Sequence, residues 1–452
     1  MVSIGPYREC PLNENLYRRL LTNATLLFIL EEKGVFAVKR LLCLLLCALC
    51  LCACGKAETP APTEPTQPVE KLVPKPLTWA DIDAIPIATD DMTEEELRQI
   101  CIDYFRLQLS FQWTPKEPLS YMIKTYEEPN AFEVGPVYAG CPYNCPGSFG
   151  NLYVIMDYYD PQTGLLDNSG MDQQTFADRI GNHCSSGPLW AWNRVVNSVA
   201  SYTNDGMTPF YGYIPVGDFL CAPTCWVDGT ATIPVCQENG EAVMYEAYAQ
   251  AKPADLMINH TGESAVTHVR MVAAEPVVVR NPDGSIDPKN SYISTIHQHG
   301  DASEQTVDGY RVIAQGGIDE PISFEGMYKV GYLIFTFGEF LGEDPVEPAQ
   351  PLATFGSYET IDLRQLQNGN ISCNYFISQL TATLTDADGQ QVYTGTYYPI
   401  YGADTRIRFH TAQVAADPKI KALAETSDLT LTLDCRLGTG QLLTVWTGTL
   451  AE

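Results

Sequence analysis

Asn182-His183-Cys184-Ser185-Ser186-Gly187-Pro188-Leu189-Trp190-Ala191-Trp192 is the stretch on which the reading of this chain turns. Gly187-Pro188 suits a first helical turn, where a proline gives up no hydrogen bond. Leu189, Trp192, Val196 and Val199 then recur at helical spacing and predict a helix with one buried face. Cys184 stands at its start. A thiol is a weak nucleophile until it ionises, and the unpaired N–H groups of a helix N-terminus favour the thiolate. A cysteine so placed needs an imidazole to take its proton and later to protonate a leaving amine.

The expected base is His268, in the apolar run Thr267-His268-Val269-Arg270-Met271-Val272, which reads as a strand. Pro253-Ala254-Asp255-Leu256-Met257-Ile258 reads as the strand before it. A third polar group should orient the imidazole. The candidates are His297 and Gln298, on the strand that follows. Strand side chains alternate faces, so only one of the two can point at His268. Gln298 is preferred. His183 is expected to tune the site or to lie exposed. His260, His299 and His410 receive no role.

These pieces resemble the NlpC-type cell-wall endopeptidases, a papain-like family of γ-D-glutamyl-diamino-acid peptidases and amidases. His183-Cys184-Ser185-Ser186-Gly187 resembles the family's D-C-S-G motif, Pro253-Ala254-Asp255-Leu256 its G-D-L strand and His268-Val269 its G-H-V strand. Tyr138-Ala139-Gly140-Cys141-Pro142-Tyr143 resembles its tyrosine-containing strand. The resemblance covers roughly residues 135–300. It implies Cys184 as nucleophile, His268 as base and Tyr143 near the thiol, with Ser185 and His183 also facing substrate. The sequence departs from the pattern at His183, which replaces an acidic residue, and at Pro253-Ala254, which replaces the usual glycine. Tyr143 also stands far from Cys184 along the chain.

The chain has 452 residues, 45% of them hydrophobic, so two or three cored domains are expected. Its 34 glycines, 31 prolines and 25 tyrosines, with 18% charged residues, predict a loop-rich chain with much β structure. The net charge is −28. A nucleic-acid partner is not expected, because binding phosphates needs a basic footprint. The acidity itself serves solubility.

Lys39-Arg40 followed by the apolar run Leu41–Ala53 fits a signal peptide. The run is 13 residues long, whereas a membrane-spanning helix needs roughly 20. Leu51-Cys52-Ala53-Cys54-Gly55 resembles a bacterial lipobox, which implies lipidation of Cys54 and a membrane anchor on the extracellular face. An ordinary secretory signal with incidental cysteines is the alternative. Residues 1–37 read as upstream sequence, with translation expected to start at Val38. Loss of residues 1–54 leaves 21 basic against 51 acidic residues, a charge of −30. Residues 55–78, proline-rich and without large apolar side chains in their first part, are expected to form a semi-rigid tether.

Thr93 and Glu96 form a capping box that predicts a helix over about 94–111, with Leu97, Ile100, Cys101 and Tyr104 on its apolar face. Cys101 is expected in the core. Residues 79–134 are therefore expected to be an N-terminal helical segment, with the catalytic domain at 135–340. Asn281-Pro282-Asp283-Gly284 is a turn signal between expected strands at Val277–Val279 and Ser291–Ile296. Residues 340–352 read as a linker. Short β-type runs follow at 371–377, 391–396, 429–435 and 442–447, predicting a β-sandwich over 352–452. Asp386-Ala387-Asp388-Gly389 is a hairpin turn within it, lacking the glutamate and spacing of an EF-hand loop. Cys141, Cys145, Cys221 and Cys225 form two CxxxC pairs, open to disulfides, free thiols or zinc. Cys373 and Cys435 are expected to pair or to sit in the core.

The expected fold class is thus an α+β papain-like catalytic domain with an N-terminal helical segment and a C-terminal all-β sandwich-like domain. The expected function is cofactor-free hydrolysis of amide bonds in peptidoglycan peptides through an acyl-enzyme. The alternative is a non-catalytic surface-binding lipoprotein that retains the fold. A related acyl transferase would look the same in sequence.

Overall fold

The computed structural model describes residues 73–123, 127–145, 150–196, 213–221, 231–260, 267–307, 309–344, 353–356, 359–373, 377–398, 408–425 and 429–451. The expected signal peptide, Cys54 and most of the tether lie outside these residues. So do Val199, Cys225 and most of the expected linker. Val69–Glu452 forms one compact unit of mixed α/β structure with several sheets. Among the described residues no helix is long and apolar enough to cross a membrane.

The predicted capped helix, α1, spans Glu94–Ser110. Both arms of its capping box are made: Thr93 N–H donates to Glu96 at 2.8 Å, and Glu96 N–H donates to Thr93 Oγ1 at 3.3 Å. Leu97, Ile100, Cys101, Ile102, Tyr104 and Phe105 are buried on it. The second helix of the site, α2, spans Ser186–Trp192 and packs against α1. It is shorter than its apolar spacing predicts. Val196 is buried beyond its end, in the turn that follows.

The sheet that carries the candidate base has six strands: β1 (Tyr213–Pro215), β2 (Leu256–His260), β3 (Thr267–Val272), β4 (Tyr292–His297), β5 (Gly317–Ser323) and β6 (Leu333–Phe337). Their order is β5-β4-β3-β2-β6-β1, and every neighbouring pair is antiparallel. Leu256, Ile258, Val269, Met271 and Ile296 are all buried, and the register of β2, β3 and β4 sets them on one face. Asn259, His268, Arg270, Thr295 and His297 share the other. Val277 makes only an isolated bridge to Tyr292, so the strand expected at Val277–Val279 is not formed, while the turn at Asn281–Gly284 is.

A second six-stranded sheet is built from Ser303–Val307, Tyr310–Ala314, Val137–Ala139, Gln112–Pro115, Leu165–Leu166 and Tyr159–Asp160, in that order. Residues 79–134 are therefore only partly helical, since the chain turns into strands at Gln112. One hydrophobic core runs from Leu77 to Phe340 and includes both sheets, α1 and α2.

The C-terminal region is β-rich with a core of its own. Its main sheet has five strands, in the order Thr360–Asp362, Leu442–Ala451, Leu429–Leu437, Ile377–Thr385, Gln391–Tyr397. Gly389, at φ 76°, closes the hairpin turn predicted from Asp386–Gly389. The all-β expectation needs correction, because the helices Leu363–Asn368, Ala412–Ala416 and Pro418–Ala424 bury Leu366, Val414 and Ile420 in that core. The region is joined to the larger core by polar contacts. Arg194 Nη1 donates to Thr439 O at 2.7 Å, and the Tyr398 hydroxyl and Gln379 amide both meet Asp157.

Candidate active site around Cys184

The approach to Cys184 is fixed by backbone pairing. Tyr143 and Asn182 form a parallel bridge. Asn144 N–H donates to Asn182 O at 2.9 Å and Asn182 N–H to Pro142 O at 3.1 Å. The chain then enters α2 through a tight turn in which Gly187 N–H donates to His183 O at 2.8 Å and His183 N–H to Ser186 Oγ at 2.9 Å. Gly187 is needed for close packing. A Cβ there would meet Gln298 Oε1 at 3.0 Å and the Phe105 ring at 3.2 Å.

Cys184 is half-buried and is not part of a disulfide. Burial pushes its pKa up to about 11, while the N–H groups of Val269 and Ser185 and the Tyr143 hydroxyl pull the other way by hydrogen bonding to the sulfur. The expectation that the helix start would ionise the thiol is therefore reversed. A seven-residue helix and three donors do not offset the loss of water around the anion. Tyr143 does lie against the thiol, where the resemblance puts it. Its own backbone is held by Gln315 at 2.9 Å and by the Tyr121 hydroxyl at 2.7 Å.

The N–H on the sulfur belongs to Val269, the residue after His268, so the strand of the candidate base lies against the thiol. His268 Nε2 is 2.9 Å from His297 Nδ1, and His297 Nε2 is 2.7 Å from Glu320 Oε2. A carboxylate can only accept, which assigns the proton to Nε2 of His297. Nδ1 of His297 then accepts from Nε2–H of His268, and the lone pair of His268 is left on Nδ1. Burial, with Arg270 and His299 nearby, pushes both imidazoles well below the usual histidine range, His297 to about 2. Both rings are neutral, and His268 carries the lone pair that a general base needs.

Gln298 is not the orienter. Alternation along β4 turns it to the opposite face, where it is fully buried and donates from Nε2 to Cys141 O at 2.7 Å. His297, the other candidate, meets His268. His183 and Ser185, expected to face substrate, are both buried, and His183 Nδ1 lies 3.0 Å from Ser185 Oγ. Asp255 of the second motif serves the fold. Arg98 Nη1 donates to its Oδ1 at 2.7 Å, and Lys252 N–H donates to its Oδ2 at 2.8 Å. Cys141, Cys145 and Cys221 are not in disulfides, nor are Cys373 and Cys435 in the C-terminal core.

Glu320 was missed from sequence. It reaches His297 through an irregularity in β5: Thr295 pairs with Glu320 but His297 pairs with Gly317, so one extra residue sits in β5. Asp319 takes φ 59° there and is held by Arg106 of α1. Bulges of this kind re-aim side chains. Gly316-Gly317 before two acidic residues was the available signal.

Comparison of the chain with models of protein families, with curated proteins and with solved structures finds no match.

Proposed function

We propose that the protein is a cysteine hydrolase with a papain-like catalytic region, cleaving amide bonds in cell-wall peptides from a lipid anchor at Cys54. The observation that carries the proposal is the Cys184 thiol set against the strand of His268, whose ring is backed by His297 and Glu320. A base with its lone pair fixed by a carboxylate-anchored partner is the arrangement that nucleophilic acyl transfer requires.

In the proposed reaction Nδ1 of His268 takes the thiol proton as sulfur attacks the carbonyl carbon. The C–N bond breaks, the amine leaves with the proton from His268, and a thioester remains on Cys184. Water then attacks the thioester, giving its proton to His268. That proton returns to sulfur as the acid departs. Since thiol and imidazole are both neutral at rest, proton transfer accompanies attack. The Tyr143 hydroxyl stabilises the sulfur while it carries charge. An amine in place of water would give transfer instead of hydrolysis.

Digestion of purified muropeptides tests this. Wild type should release new amine termini, and Cys184→Ala should not. Glu320→Gln should lower kcat by about 10²-fold or more, in the range of general acid–base effects, with KM little changed. Cleavage by Cys184→Ala at the wild-type rate would overturn the assignment. The raised thiol pKa favours a second reading, a surface lipoprotein that binds such peptides without turnover. Stable binding of intact muropeptide by wild type, with no product, would select it.

A further inference from the structure

We propose that His297, His299 and Glu320 form a binding site for a divalent transition-metal ion of the zinc class, and that its occupation disables His268 as a base. The site stands on its own geometry. The switch rests on the hydrolase reading above.

One ligand atom from each of the three residues can be chosen so that all lie within 4.8 Å of one another. His297 Nε2 and Glu320 Oε2 are already 2.7 Å apart, and the His297 and His299 ring centroids are 5.0 Å apart, inclined at 36°. His299 Nδ1 is buried and has no hydrogen-bond partner among the described residues, an arrangement that is unfavourable unless something binds it. Glu320 is half-exposed, which gives an ion an entry path and water a fourth position. Two imidazoles, one carboxylate and an open position suit zinc, whereas magnesium and calcium prefer oxygen ligands throughout. Arg270 opposes the ion. Its Nη1 is 3.7 Å from Glu320 Oε2, and the side chain is tied to Thr295 and Tyr332.

The consequence follows from tautomers. Without the ion, Glu320 accepts from Nε2–H of His297, and His268 keeps its lone pair on Nδ1. Coordination takes the Nε2 lone pair of His297, so that ring's proton moves to Nδ1 and is donated to Nε2 of His268. The proton of His268 moves to its own Nδ1. No proton is gained or lost overall, but His268 can no longer accept from the thiol.

Cobalt titration of the full chain tests the site without turnover. In a Cys184→Ala background, one equivalent of Co²⁺ should bind with visible bands of nitrogen and oxygen ligation. That equivalent should vanish in Cys184→Ala/His299→Ala, and equally in Cys184→Ala/Glu320→Gln should the first variant fold poorly. Titrations that superimpose would overturn the site. So would a lost equivalent that carries a thiolate-to-cobalt charge-transfer band, since the ion would then sit on cysteine. With Cys184 intact, muropeptide cleavage in chelator should exceed that in Zn²⁺ by tenfold or more, and His299→Gln should bring the ratio close to one. An unchanged ratio would overturn the switch and leave the site standing. Absence of turnover in chelator would overturn the switch and the hydrolase reading, with the cobalt result unaffected.

Discussion

Asp255→Asn should destabilise the protein by about 3 kcal/mol, because it strips one partner from a buried ion pair. Arg98 on α1 and Asp255 before β2 meet at 2.7 Å, with side chains 5% and 1% exposed. Burial raises the Asp255 carboxyl pKa even though Arg98 opposes the shift, so the pair is poorly solvated and depends on its own contacts. Removing one member of such a pair costs about 3–5 kcal/mol, since the other charge stays buried. The lower end is expected here. Arg98 keeps Glu94 at 2.9 Å, Pro253 O at 2.7 Å and Thr336 Oγ1 at 2.8 Å, and its guanidinium still stacks on Phe340. Arg98→Met with Asp255→Leu removes both charges and should be less destabilised than Asp255→Asn, because no unpaired charge stays buried. Urea unfolding followed by tryptophan fluorescence reads this, because Trp113, Trp190 and Trp192 sit in the same core. Coincident far-UV circular dichroism is needed for the two-state treatment. A single variant within 0.5 kcal/mol of wild type, on the order of an ordinary surface change, would refute the reasoning. So would a double variant as unstable as the single one.

Ala254→Gly should stabilise the protein modestly. Ala254 holds φ 66°, and glycine takes the same left-handed conformation without the Cβ penalty of about 1–2 kcal/mol. The buried methyl is worth about 0.8 kcal/mol, so a gain of about 0.5 kcal/mol is expected in the same urea assay, and a loss would count against the backbone argument. Iodoacetamide labelling of Cys184, followed by peptide mass spectrometry, should run roughly a hundredfold or more slower at pH 7.5 than an ordinary thiol of pKa near 8.5. A thiol pushed up to about 11 should show a rate still climbing tenfold per pH unit above pH 9, and Tyr143→Phe should slow it further by removing a donor to the thiolate. A plateau below pH 8 would show that the thiol ionises readily.

Local chemistry was legible along the chain wherever a signal was local. The Thr93–Glu96 capping box, the Asp386–Gly389 turn and the alternation around His268 each depend on residues a few positions apart, and each element formed. Alternation also told that only one of His297 and Gln298 could face His268. It could not tell which. That depends on the register between β3 and β4, where Thr295 pairs with Val272, and register is a property of two strands.

The sequence by itself determined the candidate nucleophile and base, the capped helix and a β-rich C-terminal region. Only the tertiary structure decided the electrostatics of the site. Burial of Cys184 is set by the 142–145 loop, β3 and α2 together, and it outweighs the helix-terminus effect that the local motif suggests. Glu320 becomes the anchor of His297 through an extra residue in β5, pinned by Arg106 more than 200 positions away. Desolvation and bulge placement are collective properties of packed elements. A motif carries the identity of its side chains, but their charge state and partners are set by what folds over them.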